Sequence, residues 1–304
     1  MYSTEGMAAA DSHPSALRVF SSLTKFPVVA IAALGTLTIG WCFTDAYLWR
    51  IVAVSAFDWL LASVLNRAAD LHEDAVNEVV GTETVACHAG AIRAVTLAVL
   101  FASIVVVHLS MPALTVIRVA FHALAFLYDV PVLPGPARIK QLYLLKNVAM
   151  AIAFLLTTFA YPLAGAHDAL TAGVGVGTVL VTAVSFLLFE VAYELMADLR
   201  DAPGDEQAGI PTYALARGPF GVMRVVGTLC IASAMLLVVA FLLKLVPWRV
   251  TILAVGPLVQ GLVYRRWLER GSDADDGARM AWLGVGLLTA YHLWVAFGLF
   301  GSRT

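Results

Sequence analysis

Charge is scarce in this 304-residue chain: 13% of its residues are Asp, Glu, Lys or Arg, while 61% are hydrophobic. That shortage excludes a fully solvated surface. The apolar residues fall in blocks of about twenty, which as helices match the hydrocarbon thickness of a bilayer. Cysteine is equally sparse. Cys42, Cys87 and Cys230 have no CxxC spacing, so neither a disulfide framework nor a zinc site is expected. No basic cluster resembles a nucleic-acid-binding surface, and a net charge of −2 implies none. No long polar linker separates the blocks, which argues against two soluble domains. Residues 1–24 lack the basic-then-apolar order of a secretory signal. They read as a cytoplasmic tail running into an interfacial segment, with residues 25–304 as a single transmembrane domain.

What is present is a series of apolar spans, expected over 27–48, 51–68, 91–109, 112–128, 146–165, 170–197, 219–243, 246–266 and 280–301. The fold class is therefore all-α and polytopic, with nine transmembrane helices. Hairpin turns are expected at Met111-Pro112 and Val246-Pro247. The basic residues orient the spans. With the N-terminus inside, fourteen lysines and arginines fall on inside segments, against four outside at Arg50, Lys244, Arg249 and Arg303. The inside loops, about 69–90, 129–145, 198–218 and 267–279, are also the long polar ones, which places function on the cytoplasmic face.

Two acidic runs stand at span ends on that face, an expensive place for carboxylates. The first reads NRAADLHED from Asn66 to Asp74. On a continuous helix Asn66, Asp70 and Asp74 fall within an arc of roughly 80° along about 12 Å, a hard-cation face. The second reads ELMADLRDAPGD from Glu194 to Asp205. Glu194, Asp198 and Asp201 share a face if the helix continues, and Pro203-Gly204 is expected to end it and put Asp205 on a loop. An offset of 128 carries Asn66 onto Glu194 and Asp70 onto Asp198, a faint internal repeat. So many carboxylates and amides at one boundary repel one another unless cations lie between them. Mg²⁺ takes one or two carboxylates plus substrate phosphate oxygens, which points to a metal-held diphosphate.

The loop from Tyr128 to Asn147 supplies Arg138, Lys140 and Lys146 among stiffening prolines, cations suited to charge on a leaving diphosphate. Arg67, Arg200 and His72 either join them or pair with neighbouring acids. A diphosphate with an isoprenoid tail suits a site at the membrane boundary. Aromatic faces stabilise the carbocation left by ionisation, with Phe57, Trp59, Phe126, Tyr128, Phe154, Phe186, Phe189 and Tyr193 as candidates. Arg118 and His122, four apart inside the fourth span, either line a cavity or serve structure, Arg118 pairing with Glu190 or Asp58. Gly173, Gly175 and Gly177 form a small-residue stripe expected to pack helices.

These motifs resemble those of the UbiA superfamily of intramembrane prenyltransferases. Asn66-x-x-x-Asp70-x-x-x-Asp74 matches its NxxxDxxxD motif. Asp198-x-x-Asp201 through Asp205, then Gly209 and Thr212, is similar to its second. The stretch after the first motif, where many members carry Arg-Pro, reads EVVGTETVACHAG here, with Arg93 the next cation. The resemblance implies nine helices around a central cavity, Mg²⁺ as cofactor, and transfer of a prenyl group from a prenyl diphosphate to a lipophilic, quinone-precursor-like acceptor. It implies metal ligands among Asn66, Asp70, Asp74, Glu194, Asp198, Asp201 and Asp205. Asn66, Arg67, Tyr128, Arg138, Glu194 and Arg200 would line the diphosphate pocket, and Asp70, Asp198, Lys140 and Lys146 would act in catalysis. The expected location is a bacterial inner membrane with the N-terminus cytoplasmic, and the expected partners are the two substrates and the bilayer, with no nucleic acid. Two other readings use the same residues: a membrane terpene synthase working without acceptor, and a cation-coupled transporter.

The charge asymmetry makes a prediction. A cysteine introduced at Lys244 should react with a membrane-impermeant thiol reagent added outside intact cells, whereas one at Gln207 should react only after lysis; the reverse pattern would invert the topology.

Overall fold

The computed structural model describes residues 16–131, 138–166, 174–270 and 276–298, and every regular element among them is a helix. The chain runs through α1 (Ala16–Thr24), α2 (Phe26–Thr44), α3 (Trp49–Ala69), α4 (Leu71–Val76), α5 (Thr82–Ser110), α6 (Thr115–Asp129), α7 (Leu145–Leu155) and α8 (Tyr161–Gly165). It continues through α9 (Val176–Gln207), α10 (Tyr213–Leu242), α11 (Trp248–Thr251), α12 (Val255–Arg270) and α13 (Asp276–Ala296). Seven helices among the described residues are long and apolar enough to cross a membrane, counting α6 with the 3₁₀ turn before it and α7–α8 as one. The chain is an integral membrane protein. Helices α12 and α13 stand where the eighth and ninth spans were expected and are not among the seven; Arg265, Arg266, Glu269 and Arg270 dilute the apolar character of α12. Of the tail expected over 1–24, residues 1–15 lie outside the described residues, as do Pro134, Pro136 and Gly173; the rest of the tail forms α1 and packs on α2 and α3.

Local chemistry explains most breaks. Met111 leaves helical geometry and Pro112 opens the short turn into α6. Pro247 precedes α11, as a residue without an N–H can. Gly218, at φ 65°, supplies a kink before Pro219 that only glycine adopts cheaply. Between α7 and α8 the chain loosens into one π turn, Leu156–Ala160, and Gly35 of α2 lets that turn close in: a Cβ there would sit 3.0 Å from Thr158 Cγ2.

Three expectations are corrected. The inside stretches at 69–90 and 198–218 are largely helical, because α4 packs against the end of α9 and both gain from burial. Helix α9 does not stop at Pro203-Gly204 but runs to Gln207, keeping Asp205 helical; the proline costs one hydrogen bond, and the Gly204 N–H donates instead to Asn77 Oδ1 at 2.9 Å. Gly175 and Gly177 do not pack helices, since nothing lies within 4 Å of where a side chain would begin.

Away from the acidic runs, a buried polar cluster ties α3, α5, α6 and α8. Arg118 donates through Nε to Asp58 Oδ2 at 2.9 Å and through Nη2 to Oδ1, while its Nη1 donates to the Ser103 carbonyl at 3.0 Å. His122 Nε2 lies 3.0 Å from Asp58 Oδ1, and Tyr161 donates to Oδ2 at 2.7 Å. Asp58 rather than Glu190 is thus the arginine's partner, and the structural reading of Arg118 and His122 holds. Removing one partner leaves a buried charge uncompensated. Arg118→Leu is expected to cost about 3–5 kcal/mol, and Arg118→Leu with Asp58→Leu much less, read as thermal midpoints of the detergent-solubilised protein.

Candidate active site

The first acidic run begins at the last turn of α3. Asn66 and Asp70 are one turn apart, so Asn66 Nδ2 reaches Asp70 Oδ2 at 2.8 Å; the same amide donates to Asp129 Oδ1 at 2.9 Å, and its oxygen accepts from Lys25. The helix then breaks. Asp70 sits at φ −97°, ψ 27°, and α4 starts at Leu71, so Asp74 does not continue the single face expected of the motif. Asp74 is held by Arg67, which is 1% exposed and also donates to the Val80 carbonyl at 3.2 Å. Arg93 donates to the Ala68 carbonyl, bracing the end of α3 rather than adding a cation beside the acids.

The basic loop meets this run directly. Lys140 Nζ bonds Asp70 and lies 3.0 Å from Glu73 Oε1, and Arg138 Nη2 donates to the same Glu73 oxygen at 2.9 Å. Burial would raise the Glu73 carboxyl, but its own backbone N–H, Lys140 and Arg138 together hold it at about 2. Asp74 moves the other way: burial raises it, and Lys25 and Arg67 offset only part of that, with Asp70 adding to the rise.

The second run lies along α9. Lys146, at the start of α7, is 2.9 Å from Asp198 Oδ1 and 2.7 Å from Asp205 Oδ2, so it bridges two carboxylates two turns apart. Asn147 Nδ2 donates to the other Asp198 oxygen at 2.8 Å. Arg200 grips its neighbour Asp201 through two 2.6 Å bonds. Glu194 is buried one turn below Asp198, 8% exposed.

The two runs face each other. Gly204 makes the approach possible: a Cβ there would lie 2.5 Å from Asn77 Nδ2 and 2.9 Å from the Glu73 carbonyl oxygen of α4. Tyr128, at the end of α6, interacts electrostatically with Glu194 and Asp198 of one run and with Asp70 and Asp129 at the other. The charge of Lys25 acts on Asp74 in the first run and Asp201 in the second. Every expected site residue is thus within one assembly. Sequence reasoning missed Lys25, Glu73, Asn77, Asp129 and Asn147. Each had a signal, as a polar residue touching the end of an apolar block or a motif already chosen, but none had a spacing that named its partner.

One turn below Glu194, Glu190 lines a cavity of about 320 Å³ between α2, α7, α9, α10, α12 and α13. Its walls are mainly apolar and include Phe154, Phe186 and Phe189 of the expected aromatic set. Trp59 instead packs on Phe154 and donates to Thr157 Oγ1 at 2.9 Å, while Phe57 and Phe126 are exposed on the outside of the bundle.

The donors facing one another are carboxylate and amide oxygens, the chemistry a hard divalent cation takes. Among the described residues no three acidic, histidine or cysteine side chains converge tightly enough to cage an ion alone. Paired carboxylates suit Mg²⁺, which binds through one or two carboxylates and completes its shell with phosphate oxygens and water.

The UbiA prenyltransferase family model matches residues 26–286. A UbiA homologue from Archaeoglobus fulgidus, solved with DMAPP and Mg²⁺, superposes with a TM-score of 0.65 at 13% identity over 90% of this chain and 98% of that one. The same protein bound to GPP and Mg²⁺ gives 0.63 at 14%, covering 90% and 99%. A UbiA homologue from Aeropyrum pernix K1 gives 0.58 at 15%, covering 89% and 98%. No curated protein matches the sequence.

The Glu73 geometry has a pH signature. Because its folded carboxyl is held at about 2, below the ordinary 4.5, the stability it contributes is complete above about pH 4.5 and lost as pH falls towards 2. Glu73→Gln should flatten the thermal midpoint of the detergent-solubilised protein across that window; an unchanged slope would mean the Lys140 and Arg138 contacts are not made in solution.

Proposed function

The chain belongs to the UbiA prenyltransferase family, and from that premise we propose that it transfers a prenyl group from a prenyl diphosphate to a lipophilic aromatic acceptor within the membrane. One observation carries the reading: two acid clusters, each straddled by a lysine, face one another one helical turn above an apolar cavity. In this reading Asn66, Asp70 and Asp74 hold Mg²⁺ from one side, and Glu194, Asp198, Asp201 and Asp205 from the other. Bound there, Mg²⁺ supplies Lewis-acid neutralisation of the diphosphate.

The chain's own residues do the rest. Arg138, Lys140 and Lys146 already contact anionic oxygens, and the same ammonium and guanidinium groups take the diphosphate oxygens when it binds. Arg67 and Arg200, engaged by Asp74 and Asp201, orient those carboxylates. The carbon–oxygen bond breaks with its electron pair going to the diphosphate. In this reading the ring of Tyr128, which feels the acids of both runs, stabilises the allylic cation, and Phe154, Phe186 and Phe189 of the cavity below line the hydrocarbon tail. An electron-rich carbon or hydroxyl of the acceptor captures it and releases a proton to a carboxylate. In this reading the N-terminus and the site lie on the cytoplasmic side of a bacterial inner membrane, an orientation that the distribution of basic residues supports.

Purified protein with Mg²⁺ and a panel of prenyl diphosphates and acceptors should release diphosphate and form a prenylated product. Chelation should abolish release, and Asp70→Asn or Asp198→Asn should lower kcat roughly 10²–10³-fold. No release from any pair, or undiminished release from both variants, would overturn the reading. Hydrocarbon product without acceptor would make the protein a membrane terpene synthase, and ion-driven flux in proteoliposomes a transporter.

A further inference from the structure

Two polar side chains in the cavity wall have no part in the chemistry above. Glu190 is 5% exposed and Gln260, on α12, is 1% exposed; both line the cavity among apolar side chains. Neither the amide nitrogen nor the oxygen of Gln260 has a partner among the described residues. No hydrogen bond or ion pair among them engages the Glu190 carboxyl, and the charge of Glu194 acts on it from one turn above. The other polar groups of the cavity wall are spent on the protein: Ser185 and Ser233 bond each other, and Thr182 donates to the Thr178 carbonyl at 2.7 Å. Gly284 of α13 keeps the space by Gln260 open, since a Cβ there would stand 3.7 Å from Nε2 and clash with Ile31.

Buried polar groups without partners are a direct loss of stability, greater still inside a bilayer where no bulk water competes. A prenyl tail is hydrocarbon and cannot repay that loss. A ligand that is apolar over most of its surface and carries a hydroxyl can, because the hydroxyl accepts from the Gln260 amide and donates to the Glu190 carboxyl or the amide oxygen. The volume, about 320 Å³, suits a small molecule of this kind. Glu190 precedes Glu194 by four residues, so the anchor lies about 6 Å along α9 from the acids. A ligand held there reaches towards the reacting end of the diphosphate.

We infer that Glu190 and Gln260 bind the hydroxyl of a lipophilic phenol or alcohol seated in this cavity. As the identity of the prenyl acceptor this rests on the transferase reading; as a binding site it stands apart from it. Protein in lipid nanodiscs, without Mg²⁺ or prenyl diphosphate, would be titrated with 4-nonylphenol and with nonylbenzene, each corrected for uptake by empty nanodiscs. The phenol should bind at least tenfold more tightly, about 1.4 kcal/mol. Gln260→Leu and Glu190→Leu should each bring the two affinities together without weakening nonylbenzene. Equal affinities for the wild type, as expected if the pair serves only water, would overturn the inference, as would a preference surviving both substitutions. Should either variant fail to fold, the wild-type ratio decides. Failure of the transferase reading registers separately, as absent diphosphate release with Mg²⁺.

Discussion

Lysine between carboxylates is the interaction on which this architecture rests. Lys140 ties Asp70 to Glu73, and Lys146 ties Asp198 to Asp205. Without those ammonium groups the acids of each run would repel one another across a boundary of low dielectric. The same pairing keeps the carboxylate oxygens pointed inward. In the transferase reading each of these cations exchanges a carboxylate for a phosphate oxygen of similar geometry.

The helix that carries the second acidic run also lines the cavity. Helix α9 bears Glu194, Asp198, Asp201 and Asp205 in its last turns and Phe186, Phe189 and Glu190 below them. Helix α7 does the same with Lys146 and Asn147 at its start and Phe154 deeper. A polar head at the boundary and an apolar body below it are therefore aligned by two rigid rods rather than by loops, which holds the distance between them fixed. The Asp58–Arg118–His122–Tyr161 cluster does comparable work for α3, α6 and α8, at a depth where polar groups find partners only in one another.

Apolar block length determined from the sequence alone that the chain is a helical membrane protein. That follows from the bilayer's thickness and dielectric, not from packing. Recurring acids at NRAADLHED and ELMADLRDAPGD, with the basic loop between, likewise marked the candidate site residues, because buried charge is costly. What tertiary structure decided is who meets whom. Only the fold broke the first motif at Asp70, carried α9 past Pro203 to keep Asp205 helical, and brought Asn147 to Asp198, Lys25 to the Asn66 amide and Asn77 to the Gly204 N–H 127 residues away. Only the fold left Glu190 without Arg118 and set it beside the same cavity as Gln260. Spacing along a chain fixes neighbours within a helix turn, whereas contacts between helices depend on packing that no local pattern encodes.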